Sequence, residues 1–284
     1  MATVLESLAA GKVSYALFAR VRIEPTDESF QEAIAFAKSW PFDGVVAMGG
    51  GSTIDTAKVA NLYATYPADF LAYVNPPIGK GQPIPGPLKP LVAIPTTAGT
   101  GSETTGVAIF DLLKMHAKTG IADRHLKPTL GLLDPDNTKT LPPEVAVATG
   151  LDVLSHAIKS YTAKPFNQRP KPARPLLRPT YQGSNPISDT WSLEALRIVA
   201  EFLPRAVEDP TDDEARGMML LAASYAGIGF GNAGVQLPYG MSYPVSGMVR
   251  GYKPAGYDVD HPLVPHGLAV ILSAPAAFRF NASA

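Results

Sequence analysis

The first half of the chain alternates between short apolar runs and segments in which apolar residues recur every three or four positions. Such runs are typical of buried strands, and such segments are typical of amphipathic helices. Helices are predicted at residues 2–11 and 27–39, and in the second of them Phe30, Ile34 and Ala37 share one face. Strands are predicted at residues 13–18, 43–48, 91–94, 107–111 and 129–133. This alternation favours a mostly parallel sheet with helices on both faces.

Helical periodicity dominates the second half. The chain is therefore divided into an α/β domain at residues 1–143 and an all-α domain at residues 144–284. Pro204 is expected to kink or shorten one helix, because proline cannot donate the backbone hydrogen bond of a helix interior. Helices are predicted around Asp152, from Trp191 to Val207, from Thr211 to about Asn232, and from His266 onward.

A run of three glycines joins a predicted strand to the next helix. Gly49, Gly50 and Gly51 are followed by Ser52 and Asp55, which predict a capping box at the start of that helix. Glycine lets the backbone approach a ligand closely, and the N–H groups at a helix N-terminus favour an anion. The arrangement predicts a phosphate site, although a simple tight turn has the same sequence.

A second segment of small residues follows the predicted strand at 91–94. It places Thr96, Thr97 and Thr100 among alanine and glycine. Residues just after a parallel strand lie at the carboxyl edge of the sheet, where α/β proteins bind their ligands. These threonines are therefore candidate ligand contacts, and a polar connector is the alternative.

An aspartate and a histidine four positions apart lie in a predicted helix. Side chains at i and i+4 lie one above the other, so Asp152 and His156 face the same point. Such a pair suits a divalent metal. The glycine turn upstream and His266 at the head of an apolar helix downstream favour a metal site over a buried hydrogen bond between the two residues.

Residues 163–187 are rich in proline and contain basic residues but no acidic one. A solvated connector and a flap over an anionic substrate both fit this composition. As a flap, the segment would use Arg169, Arg174 and Arg178 to bind the carboxylates of a dianionic oxo acid.

Composition excludes several classes of function. With 46% hydrophobic and 17% charged residues, the 284-residue chain forms a sizeable core. A net charge of −1 argues against a nucleic-acid partner, so small molecules are the expected ligands. No apolar stretch is long enough for a membrane span, and no targeting segment is visible at the N-terminus. Without cysteine, a metal must be bound by His, Asp, Glu or Tyr.

Together these motifs resemble the iron-type (group III) alcohol dehydrogenases, and most closely their hydroxyacid-oxoacid transhydrogenase branch. The resemblance covers essentially the whole chain. It implies a nucleotide-binding α/β domain followed by an all-helical metal-binding domain, an architecture similar to that of dehydroquinate synthase. It also implies NAD(P) and a divalent metal, iron or zinc, in the cleft between the domains. The matching runs are residues 49–55, 95–103, 150–161, 181–189, 227–234 and 261–267.

For individual residues, the resemblance implies two groups. The metal ligands would be Asp152, His156 and His266. The cofactor-binding residues would be Gly50, Gly51 and Ser52 at the pyrophosphate, with Asp55, Thr96, Thr97, Thr100 and Lys118 at other parts of the nucleotide.

The chain departs from the family pattern in three places. The family's first strand and nucleotide-binding turn would precede Ala2, and its helical domain would continue beyond Ala284, so truncation at both ends is expected. The family's remaining metal ligand is a histidine in a His-Gly-Met context, where this chain has Tyr239-Gly240-Met241. A neutral phenol is a poor ligand for Zn²⁺ or Fe²⁺, so weak metal binding is expected.

The function implied by the resemblance is transfer of hydride from 4-hydroxybutyrate to 2-oxoglutarate, in the mitochondrion, through a bound nicotinamide cofactor. Two alternatives are an NAD(P)-dependent iron-type alcohol dehydrogenase and a truncated, metal-deficient homologue without activity. Turnover without added cofactor distinguishes the transhydrogenase from the alcohol dehydrogenase. The metal content of the purified protein identifies the inactive homologue. A homo-oligomer is compatible with the sequence.

Overall fold

The computed structural model of the chain describes residues 2–174, 178–235 and 237–282. The strands are β1 Val45–Gly49, β2 Leu91–Pro95, β3 Val107–Leu112, β4 Ala117–Ala122 and β5 Leu130–Gly131. Among them lie the helices α1 Ala2–Ala10, α2 Asp27–Lys38 and α3 Gly51–Thr65. The later helices are α4 Pro143–Tyr161, α5 Pro186–Glu208, α6 Asp213–Ala233, α7 Leu237–Gly247, α8 His266–Ile271 and α9 Ala274–Ala282.

A parallel sheet in the order β1-β2-β5 is the centre of the N-terminal part. Gly49 at the end of β1 is in register with Pro95 at the end of β2. The segment after β2 that contains Thr96, Thr97 and Thr100 is called the threonine loop. Because β1 and β2 end at the same edge, the glycine turn and the threonine loop leave the sheet side by side. The α/β class predicted from the sequence is thereby confirmed.

The strand predicted at 107–111 forms, but it does not join the parallel sheet. β3 pairs with β4 in a separate antiparallel hairpin. Only residues 113–116 connect the two strands, and a parallel pair would need a crossover of a dozen residues or so. Phe110 of this hairpin packs on Phe30 of α2, with ring centroids 5.3 Å apart.

Two other strand predictions are wrong in whole or in part. Residues 13–18 form no strand, and Val13, Tyr15 and Leu17 are exposed, because no described strand lies beside them to pair with. The strand predicted at 129–133 is reduced to the two residues of β5.

Helices α4, α5 and α6 follow the last strand along the chain and pack together around a hydrophobic core of their own. α5 continues through Pro204 to Glu208; Pro204 and Ala200 lie on its exposed side, where solvent can hydrogen-bond to the carbonyl that proline leaves unpaired. The threonine loop reaches into this core through Ala98, which is buried among its residues. That the two parts are separate domains divided at residue 143 stays a prediction.

No single helix in the described ranges is long and apolar enough to cross a membrane. α6 and α7 meet that test of length and composition only as a pair, bent by 108° where they join.

Candidate functional site

The glycine turn forms the start of α3, but without the predicted capping box. Gly50 is the N-cap residue and has no side-chain hydrogen bond. Ser52 lies inside the first turn, where its Oγ accepts a hydrogen bond from the Glu24 N–H at 3.2 Å. Within the described part of the chain no side chain therefore caps the first backbone N–H groups of α3, which leaves them available to an anion.

The threonine loop packs directly on the glycines. The Thr96 N–H donates to the Gly49 carbonyl at 3.0 Å. A Cβ atom added to Gly50 would lie 3.3 Å from Thr97, and one added to Gly51 would lie 2.6 Å from Thr100 Oγ1. The structure thus brings the two predicted cofactor motifs together, while their role in binding stays a prediction.

Asp55 points away from the turn. Its carboxylate accepts hydrogen bonds from Ser102 Oγ and from the Ile109 N–H, the latter at 3.0 Å. Lys58 lies 3.5 Å from the same carboxylate and donates to Ser102 at 2.7 Å. Burial lowers the pKa of Lys58, although Asp55 opposes that shift. Asp55 is therefore engaged in joining α3 to β3; the i,i+3 spacing of Asp55 and Lys58 is the sequence signal for this pair.

Lys118, predicted to touch the cofactor, is bound by two carboxylates. Its ammonium contacts Glu24 and lies 3.2 Å from Asp111. Burial by itself would lower the pKa of Lys118, but Glu24 and Asp111 raise it above its ordinary value. Glu24 and Asp111 carried no sequence signal, because one lies 94 positions from Lys118 and the other lies on the opposite strand of a hairpin.

Asp152, His156 and His266 gather around the ring of Tyr239. His156 Nε2 lies 3.4 Å from Asp152 Oδ1, and the Tyr239 hydroxyl donates to the same oxygen at 2.9 Å. The Tyr239 ring centroid is 5.3 Å from the centroid of each imidazole. Burial, followed by the charge of Lys159, holds the pKa of His156 well below its ordinary value.

This arrangement does not fit a divalent metal as it stands. The described residues contain no group of three or more His, Asp or Glu side chains arranged to hold an ion. Burial and the Asp152 carboxylate raise the pKa of Tyr239 well above its ordinary value, so its phenol stays protonated. The phenol then occupies the Asp152 oxygen that faces His156. We assign no catalytic step to a metal at these residues.

A buried lysine, missed by the sequence analysis, completes this cluster. The Lys159 ammonium lies 3.2 Å from the Tyr239 ring centroid and 4.0 Å from that of Phe230. Burial lowers its pKa well below the ordinary value, although the charge of Asp152 opposes the shift. Its spacing was the available signal, because positions three after His156 and seven after Asp152 share one helix face.

The basic segment lies partly outside the described residues, which omit 175–177. Arg169 donates to the Tyr181 carbonyl at 3.3 Å. Arg174 and Arg178 are exposed. Their role as a substrate flap stays a prediction.

The threonine loop connects the two groups of candidate residues. On one side Thr97 and Thr100 contact the glycine turn. On the other side a Cβ atom added to Gly99 would lie 2.7 Å from Thr149 Cβ, on the helix that carries Asp152. A ligand bound at the turn therefore lies at the boundary between the α/β and helical parts.

Both halves of the chain match known proteins of one family. Residues 1–135 match the family profile described as iron-containing alcohol dehydrogenase. Residues 180–284 match that described as the C-terminal part of the Fe-containing alcohol dehydrogenase family. The mitochondrial hydroxyacid-oxoacid transhydrogenases of Xenopus tropicalis and Homo sapiens are 61% and 59% identical to this chain. Each alignment covers 98% of this chain, which spans 61% and 60% of the lengths of those two relatives.

Solved structures agree with the fold. An iron-containing alcohol dehydrogenase from Thermococcus thioreducens has a TM-score of 0.82 at 31% identity, over 99% of this chain and 65% of its own. Sulfoacetaldehyde reductase from Bifidobacterium kashiwanohense, in complex with NAD⁺, has a TM-score of 0.79 at 29% identity, over the same shares. By profile, sequence identity and architecture, this chain belongs to the iron-containing alcohol dehydrogenase family.

Proposed function

We propose that the chain transfers hydride from 4-hydroxybutyrate to 2-oxoglutarate through a bound nicotinamide cofactor. The observation that carries this proposal is the pairing of an uncapped glycine turn with a threonine loop that also contacts α4. The names of the relatives at about 60% identity support the reaction, and the NAD⁺ complex of a structural neighbour supports the cofactor.

In this reaction the oxidised carbon of 4-hydroxybutyrate gives its hydride to the nicotinamide, and its hydroxyl loses a proton. The reduced nicotinamide then gives the hydride to the keto carbon of 2-oxoglutarate, whose oxygen takes up a proton. The products are succinic semialdehyde and D-2-hydroxyglutarate, and the cofactor returns to its starting state. The protein supplies the binding and the orientation, while the cofactor carries the hydride.

The chain's own residues have separate parts in this scheme. The N–H groups after Gly50 bind the pyrophosphate, since glycine leaves room for close approach. The Lys118 ion pairs hold Glu24 against the hairpin, beside the turn. Family membership supports a divalent metal in addition to the nicotinamide.

The proposed location rests on the names of the relatives. The similar transhydrogenases are named as mitochondrial proteins, which supports a mitochondrial location for this chain. The ligands proposed are small hydroxy and oxo acids, and a homo-oligomer is part of the proposal.

The test is to incubate the purified chain with 4-hydroxybutyrate and 2-oxoglutarate, without added cofactor, and to measure D-2-hydroxyglutarate. Formation of that product is expected. Reduction that occurs only with added NADH, and without 4-hydroxybutyrate, would instead identify an ordinary alcohol dehydrogenase. Absence of both reactions would overturn the proposal.

A further inference from the structure

A cavity of about 190 Å³ lies beside the predicted cofactor site. Its walls come from three segments: the stretch before α2, the adjoining ends of β3 and β4 with their connection, and the end of α7 with the residues that follow it. Glu24 belongs to one wall, and its backbone N–H donates to Ser52 in the glycine turn. We call this space the Arg22 cavity, because Arg22 lines it.

Four polar atoms of residues that line the Arg22 cavity are buried and have no hydrogen-bond partner in the described structure: Arg22 Nε, Ser246 Oγ, His261 Nε2 and Asp111 Oδ1. The last of these lies 3.2 Å from the Lys118 ammonium. Buried polar atoms nearly always have partners, so each such atom needs an explanation. They come from different segments of the chain yet belong to one cavity. An anionic ligand there offers acceptors to the two donors among them, Arg22 Nε and the Ser246 hydroxyl.

The charges of the cavity favour an anion. Glu24 and Asp111 also line it, but Lys118 pairs with both. Arg22 has no ion pair among the described residues. Arg250, which also lines the cavity, donates to the carbonyl of its neighbour Val249. Both guanidinium groups thus line the cavity without an ion pair among the described residues, although the charge of Arg22 also acts on the Asp111 and Asp260 carboxylates.

The donors among the unpaired atoms match the hydrogen-bonding geometry of a carboxylate. A guanidinium offers donors only, in a planar fork that matches the two oxygens of a carboxylate. The Ser246 hydroxyl supplies a further donor. His261 Nδ1 is already bonded to Asp260 at 2.9 Å, which leaves Nε2 to face the cavity. The volume is below that of pockets for drug-sized ligands and suits one small charged group.

We propose that the Arg22 cavity binds the carboxylate that lies away from the reacting carbon of the hydroxy acid and oxo acid. This inference rests on the proposed function, because Glu24 in the cavity wall also contacts Ser52 beside the glycine turn, where the cofactor is proposed to bind. Small aliphatic dicarboxylates are then ligands by themselves, whether or not they react.

The experiment measures binding of glutarate, an unreactive dicarboxylate, to the purified chain by calorimetry. Arg22→Met removes the guanidinium and keeps the length of the side chain. We expect a loss of roughly 10- to 100-fold in affinity, the effect of losing hydrogen bonds to a charged group. Arg20→Met is the matched control, because Arg20 is 70% exposed and pairs with Glu32 outside the cavity. Equal affinities in the two variants would overturn the inference.

A milder variant guards against unfolding of Arg22→Met. Ser246→Ala removes one hydroxyl and is expected to weaken glutarate binding about threefold, at an unchanged unfolding midpoint. An unchanged affinity in this variant would count against a carboxylate in the cavity. Inorganic phosphate serves as the second probe: if it binds as tightly as glutarate and with the same dependence on Arg22, the site is a general anion site and the assignment to substrate fails.

Failure of the inference and failure of the proposed function give different results. If the chain binds glutarate through Arg22 but transfers no hydride, the cavity stands and the proposed function falls. If it transfers hydride and Arg22→Met leaves the KM for 2-oxoglutarate unchanged, the function stands and the inference falls. In either case NADH affinity, followed by nicotinamide fluorescence, is expected to be equal in Arg22→Met and Arg20→Met.

Discussion

The two walls of the candidate site differ in what they offer a ligand. At the glycine turn the available groups are backbone N–H groups, and no side chain among the described residues caps them after Gly50. In the helical part the available groups are side chains, and these already contact one another. Tyr239 donates a hydrogen bond to Asp152, and the Lys159 ammonium lies over the Tyr239 ring.

The two walls also differ in how far they depend on single side chains. A backbone site needs only space and the helix N-terminus, so many side-chain changes nearby leave it intact. A side-chain site depends on each donor. The resemblance predicts a histidine at position 239, and the Tyr239 hydroxyl instead bonds to the Asp152 oxygen that faces His156. Four experiments test this contrast.

The largest effect is expected from Asp152→Ala, because it would leave the buried Lys159 ammonium and the Tyr239 hydroxyl without their anionic neighbour. Loss of the partner of a buried polar group costs about 1–3 kcal/mol of unfolding free energy, and more where the group is charged. Urea unfolding measures this loss. The double variant Asp152→Ala, Lys159→Met is expected to recover part of the stability; no recovery would show that the two charges are not coupled.

A smaller but still large effect is expected from Gly51→Val on the other wall. A Cβ atom there would lie 2.6 Å from Thr100 Oγ1 and would obstruct the approach of a pyrophosphate. NADH affinity should fall roughly 100-fold, which corresponds to the loss of one or two hydrogen bonds to a charged group. Nicotinamide fluorescence reports the affinity. Gly44→Ala is the control at the other end of β1, where the added Cβ atom lies 3.5 Å from the Pro90 carbonyl. Similar affinities in both variants would remove the turn from the cofactor site.

Tyr239→His is expected to tighten divalent metal binding by roughly tenfold or more, since it restores an imidazole and frees Asp152. Calorimetric titration with Zn²⁺ compares it with Tyr239→Phe, which frees Asp152 but adds no ligand. If the histidine variant binds no tighter than the phenylalanine variant, the side chain at position 239 does not point at a metal.

The smallest effect is expected from neutralising Arg169, Arg174 and Arg178 together. Arg174 and Arg178 are exposed, and contacts between exposed charges contribute about 0–1 kcal/mol. The KM for 2-oxoglutarate should therefore rise less than about fivefold, and less than in Arg22→Met. A larger rise, absent for a neutral aldehyde, would favour the flap interpretation of this segment.

The sequence predicted the α/β class and most of the helices, but it misplaced features that need a partner. Residues 13–18 have the alternation of a strand and are exposed without one, because a strand forms only where another lies beside it. Asp55 was assigned to the cofactor from its place near the turn; its carboxylate bonds to Ser102 and Ile109, and its role in cofactor binding stays a prediction. Which way a carboxylate turns depends on donors that a motif does not contain.

Local chemistry along the chain is enough to place the features whose parts lie within one turn of helix. Thr26 and Ser29 cap α2 reciprocally, Gly50 and Gly51 open α3, and Asp152 lies beside His156. Each depends on residues one to four positions apart, where backbone geometry sets the spacing.

Other contacts exist only in the folded chain. Tyr239 reaches Asp152 across 87 positions, Lys118 reaches Glu24 across 94, and the unpaired atoms of Arg22 and His261 meet at one cavity. Burial then changes the chemistry of these groups, because a charge removed from water must find a partner or lose its proton. The motifs of the sequence therefore name the family, and the packing between its two parts decides which of those side chains remain available to a ligand.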